Sequence, residues 1–249
     1  MKLKYTLPII LAIAFCGCKQ NNESVLLRLK YKKGEEKTFT LDQNASRAGA
    51  MEMHNQIVIA FLVDSVTSDG NYIMTARLKG IKMDSKAGEL VEHYDSHDKS
   101  TDMDENAQAM DKTLEPAFSA YYDISVNDRG NVVSPFKTSV IGADAPIDMS
   151  EIQLIYPEHK VKVGDHWTGS RKNKLLSTVN QYTYTISDIT PERVIIKVNA
   201  DIKGIKALTG DMKAEGEYVI DKANGQLISS RIDVPAKMDL RAVLSVSVE

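Results

Sequence analysis

The sequence predicts a mainly β protein: a curved antiparallel sheet or open barrel built from two pseudo-repeated meanders, with one short helix inserted in the first half. Three observations carry this reading. The stretch "ARLKGIK" at Ala76–Lys82 returns as "ADIKGIK" at Ala200–Lys206. Around both copies apolar and polar residues alternate, with Tyr72, Met74, Ala76 and Leu78 matching Ile196, Val198, Ala200 and Ile202. A period of two is the mark of a half-buried antiparallel strand. The flanking landmarks also recur in order: "YKKGEEKT" (Tyr31–Thr38) answers "VKVGDHWT" (Val161–Thr168), and a hairpin turning at Gly130 answers one turning at Gly225.

Taken along the chain, residues 1–17 read as a signal peptide. Lys2 and Lys4 form a basic start, and Tyr5–Phe15 is an apolar run too short to span a bilayer, which takes roughly 20 residues. Small Gly17 then precedes Cys18, in the pattern of a lipobox that departs from the usual leucine by placing Phe15 three residues earlier. Cys18 is the expected lipidation site, carrying acyl chains such as palmitate that tie the chain to a membrane. Both cysteines, Cys16 and Cys18, lie in this region, so no thiol pair is left to oxidise. Residues 18–24 form a polar tether, and Lys19 suits delivery to the outer membrane of a cell envelope.

The first β repeat is expected over 25–137. Strand Ile57–Val66 turns at "TSDGN" into the repeated strand, and "YYDISVNDRGNVVSPF" forms the following hairpin. The glycine-to-glycine spacing is longer here than in the second half, which places an insertion at about 86–117. Its acidic start, "AGELVEHYDSHDKSTDMDEN", reads as a solvated loop. Its continuation places Met110, Leu114 and Phe118 at helical spacing, with Asp104 or Asn106 as the cap and Pro116 shortening the helix. Residues 138–160 form a connector with one helical turn near Ser150–Leu154, and 161–249 form the second repeat. The two repeats are expected to share one compact core.

"DGNYIMTARLKGIKMD", "EHYDSHDK", "NDRGNVV" and above all "YPEHKVKVGDHW" at Tyr156–Trp167 resemble a family of bacterial lipoproteins known only as domain of unknown function 6263. The resemblance implies an exported, β-rich envelope lipoprotein of Bacteroidetes type with no established activity. No catalytic or binding residue carries over from it.

Chemistry is sparse. The chain has no G-x-S-x-G elbow, no H-E-x-x-H, no P-loop and no G-x-G-x-x-G, so no catalytic residue is assigned and a scattered enzyme site is the weakest alternative. A formal charge of −3, more acidic once Lys2 and Lys4 are removed, gives no footprint for nucleic acid. No cofactor is called for. The metal candidates are His93, Asp95 and His97, which at period two would share a strand face and offer two imidazoles and a carboxylate to zinc. The alternative for them is a solvated polar loop. Trp167 and the Tyr182, Tyr184 and Ile186 stripe, with Tyr121 and Tyr122, read as sheet interior. The expected function is a non-catalytic envelope lipoprotein that binds an apolar ligand or envelope protein. The alternative is a structural lipoprotein with a filled core.

Overall fold

The computed structural model describes residues 23–98, 104–140, 154–173, 178–203, 212–237 and 240–249. The signal segment with Cys18, the 141–153 part of the connector and the Gly204–Lys206 end of the repeat lie outside the described residues.

The first half contains β1 (Ser24–Val25), β2 (Glu36–Arg47), β3 (Met51–Val66), β4 (Tyr72–Ala87), β5 (Leu90–Asp95), α1 (Glu105–Ser119), β6 (Tyr122–Val126) and β7 (Val132–Thr138). The second contains β8 (Val161–Lys162), β9 (His166–Asn173), β10 (Thr178–Ile189), β11 (Arg193–Lys203), β12 (Met212–Asp221), β13 (Leu227–Lys237) and β14 (Leu240–Val248). Twelve of these strands make one antiparallel sheet in the order β7-β6-β4-β3-β2-β14-β13-β12-β11-β10-β9, with β5 on the side of β4. Strands β7 and β9 end the order without meeting, so the sheet is open and not a closed barrel.

The repeated segments occupy matching slots. In β4, Ala76 lies between Phe61 of β3 and Tyr122 of β6. In β11, Ala200 lies between Tyr182 of β10 and Ala214 of β12. Alternation decides which side of each strand is buried: Tyr72, Met74, Ala76 and Leu78 in β4, and Val194, Ile196, Val198 and Ala200 in β11. Each repeat is thus a meander, β2-β3-β4-β6-β7 or β9-β10-β11-β12-β13. Strand β14 has no first-half counterpart and pairs with β13 on one side and β2 on the other, joining the two.

The leading segments cross over. Val25, Leu27, Leu29 and Tyr31 are buried, as are Leu154 and Tyr156. Lys30 N–H donates to Asn224 O of the second-half hairpin at 2.8 Å, and Leu29 N–H to Asp128 O of the first at 2.7 Å. The Tyr156 hydroxyl donates to Gly225 O, and Tyr156 N–H to Arg129 O. At both hairpin tips the glycine has positive φ, +78° at Gly130 and +69° at Gly225, and a crossing backbone packs against its α-carbon.

Two local expectations change. "LVEHYD" is a strand and not a loop, because β6 pairs only with Tyr72–Ala76 and leaves the far half of β4 bare; Lys82–Ala87 then pairs with β5. Leu90–His93 stay exposed, so backbone pairing with β4 makes it a strand, helped by buried Tyr94. Helix α1 is capped by Asp104 as expected, whose carboxylate accepts from Ala107 N–H at 2.8 Å. It runs through Pro116 to Ser119 although the proline removes a helical hydrogen bond, with Ala117 on that last turn buried against the core. Tyr122 is interior, but Tyr121 is 42% exposed, with Arg77 over its ring at 4.3 Å.

Candidate functional site

Directly paired residues of neighbouring strands share a face, so registers trace the core face across the sheet. One row reads Trp167, Tyr184, Val198, Gly216, Ile232, Leu244, Gln43, Asn55, Met83 and Tyr94. Its ends are buried. Trp167 stacks on Tyr184 at 5.3 Å and donates its indole N–H to Ile155 O at 2.7 Å, which makes it the expected core anchor. The middle is different. Gly216, Ile232, Leu244, Gln43 and Asn55 are only half-buried, and so are Val234, Ala242, Ala45 and Met53 below them. An apolar strip across β13, β14, β2 and β3 therefore keeps access to solvent.

Toward β5 that strip runs into a cavity of about 260 Å³ beneath α1, lined by Met53, Met83, Tyr94, Ala107 and Met110, with Asn55, Ser85, Glu92, His93 and Asn106 as its polar rim. Methionines suit such a site because their unbranched thioether chains adapt to varied apolar shapes. Tyr94 closes one wall and donates its hydroxyl to Asp111 Oδ1 at 3.2 Å. Burial, reinforced by the Asp111 carboxylate, pushes its phenol up to about 12. Since the folded protein holds this proton more tightly than the unfolded chain, whose tyrosines titrate near pH 10, stability is retained below that value. It is then lost as the pH rises from 10 to 12. Urea unfolding at pH 8 and pH 11 should show this loss, and a smaller one in Tyr94→Phe.

The opposite face is polar and carries His93 and Asp95 of the insertion, whereas Glu92 lies opposite Ser85 on the face of the strip. His93 pairs with Asp84 and not with Asp95, its Nδ1 lying 2.5 Å from Asp84 Oδ1. His54 of β3 flanks the same carboxylate, with Nδ1 3.8 Å from Oδ2. Asp95 accepts from His97 N–H and from Lys82, and these hold its carboxyl below the usual range against the opposing effect of burial. His97 lies beyond the end of β5, with its ring over Gly80. Of the predicted trio, Asp95 and His97 stay together, with His97 Nδ1 3.3 Å from Asp95 Oδ1, while His93 turns to Asp84. Among the described residues, no three His, Cys, Asp or Glu side chains are grouped to hold a metal ion. Beside His54 and Asp84, a groove of about 670 Å³ also includes Glu52, Lys86 and Arg231.

One residue was missed in the sequence. Arg171 follows Trp167 and Gly169 at alternate positions, which puts it on the apolar face; it is 9% exposed. The same alternation that identified Trp167 as interior was enough to find it.

The open sheet defines a class, and a solved structure shares it. The structure described as "Lipid-protein interactions in lipovitellin" is similar over 88% of this chain and 25% of its own, with a TM-score of 0.52 and 8% identity. This chain thus spans about a quarter of that protein, and the likeness is one of fold. By sequence, residues 147–229 match the family model of DUF6263, described as a family of unknown function. No curated protein matches. Among the described residues, no helix is long and apolar enough to cross a membrane.

Proposed function

We propose that this protein is a cell-envelope lipoprotein, held at the outer membrane through acylated Cys18, that binds an apolar ligand on the core face of its sheet without catalysing a reaction. The observation that carries this reading is the half-buried strip of Ile232, Val234, Leu244, Ala242, Ala45 and Met53, continuous with the cavity under α1. A filled sheet core would bury these residues as it buries Tyr184 and Val198. Ligand pockets are concave and mostly apolar, with a few polar groups, and the Asn55 and Asn106 rim supplies such groups. The lipovitellin structure, whose description concerns lipid contacts, supports the same reading by analogy of fold.

The test is purification from membranes followed by mass spectrometry of lipid released without breaking covalent bonds. An acyl-chain lipid should be recovered at near one equivalent, and Leu244→Gln with Ile232→Gln should reduce it severalfold. A purified protein that carries no such lipid and displaces no fluorescent fatty acid would instead be a structural lipoprotein with a filled core.

A further inference from the structure

We propose that Arg171 anchors the anionic end of an amphiphilic ligand, a carboxylate or phosphate joined to an acyl chain. This rests on the reading of the apolar face given above. Among the described residues, Arg171 Nη2 is the one buried side-chain nitrogen or oxygen without a hydrogen-bond partner. The guanidinium stays charged at any ordinary pH, and an unpaired charge out of water is strongly unfavourable. Three other arginines are paired: Arg28 holds Asp128 at 3.3 Å and three carbonyls, Arg129 holds Glu158 at 2.6 Å, and Arg231 holds Asp233 at 3.1 Å.

Among the described residues, the neighbouring strands offer Arg171 no carboxylate on its own face. Asp201, Glu215 and Glu217 are exposed and occupy the alternate positions that face the other side of the sheet. On its own side, Arg171 is opposite Asn180, which is buried and donates its amide to the Tyr182 hydroxyl at 3.1 Å. Ile202 comes next in the row. The adjacent row is Gly169, Tyr182, Ala200 and Ala214, apolar and mostly small; next to Ala214 on the same face of β12 is Gly216, which lies opposite Ile232 of the half-buried strip. A planar guanidinium with a neighbouring amide suits the fork of a carboxylate or phosphate. The apolar row suits a hydrocarbon chain, which favours an amphiphile over a free ion.

The experiment compares three probes on the full-length protein stripped of non-covalent lipid: palmitate, hexadecanol and inorganic phosphate. Palmitate should bind at least tenfold more weakly to Arg171→Met than to wild type, with Arg171→Lys intermediate, while hexadecanol binds both alike. Without ligand, Arg171→Met should unfold no earlier than wild type, since it removes an unpaired charge; a loss of stability would mark Arg171 as structural and overturn the proposal. Palmitate bound equally by wild type and Arg171→Met would overturn the anchor and leave the apolar site standing. Failure of both palmitate and hexadecanol to bind would overturn the apolar reading itself. Phosphate alone stabilising wild type but not Arg171→Met would replace the amphiphile with a free anion.

Discussion

Gly225→Ala should destabilise the protein by about 3 kcal/mol or more, and Gly130→Ala by a similar amount, because two independent costs fall on one added methyl. The first is conformational. Both residues have positive φ, a region that costs an L side chain roughly 1–2 kcal/mol. The second is steric. The methyl would overlap Arg28 O at Gly225 and Leu154 O at Gly130, which are backbone atoms with no rotamer to yield. The crossing segments would have to lift, taking Lys30 N–H away from Asn224 and Tyr156 away from Gly225 and Arg129. Gly34→Ala separates the two costs: φ is +80° there and nothing lies within 4 Å of the added carbon. It should show only the conformational share, roughly 1–2 kcal/mol. Urea denaturation of the three variants, read as midpoint shifts at constant slope, measures the difference. Equal losses at Gly34 and Gly225 would show that the crossing contributes nothing.

Ending the chain after Lys237 should abolish cooperative unfolding. The lost strand β14 supplies hydrogen bonds to both β13 and β2 and is the join between the repeats. It also takes Val246 out of the core, with half-buried Leu244 and Val248, worth on the order of 5 kcal/mol of apolar burial together. A domain stable by about 5–15 kcal/mol does not survive that loss along with two exposed strand edges. Circular dichroism melting and size exclusion would report it as a broad transition and self-association. A sharp, monomeric transition in the truncated chain would mean that each meander folds alone.

What could be read in advance depended on how local its cause was. Alternation along Tyr72–Leu78 and Ile196–Val198 fixes which side is buried without knowledge of the partner strand, and glycines at 34, 130, 164 and 225 mark turns by backbone geometry alone. Strand β5 was hidden because its exposed Leu90, Val91 and His93 look like a loop; only the unpaired far half of β4 explains them. The β2–β14 pairing was hidden for the converse reason, since nothing in "AVLSVSV" names a partner at the other end of the chain. The candidate site fared likewise. The insertion supplies β5 and α1 to the cavity wall, yet His93 found Asp84 on a neighbouring strand, where its own segment suggested Asp95. The strip over β13, β14, β2 and β3 arises from side chains that no single segment contains.

The pairing of Phe39 with Val248, and the reciprocal hydrogen bonds between Thr38 and Glu249, have a consequence in time. Strand β2 is synthesised long before β14, one of its two neighbours. Until β14 has been made, that edge waits uncovered, and the closing event must bring together positions far apart in the chain. Refolding should therefore fall in the slow range of milliseconds to seconds typical of distant strand pairing. A chaperone that shields a nascent edge would matter more to this protein than to one whose neighbours in space are neighbours in sequence.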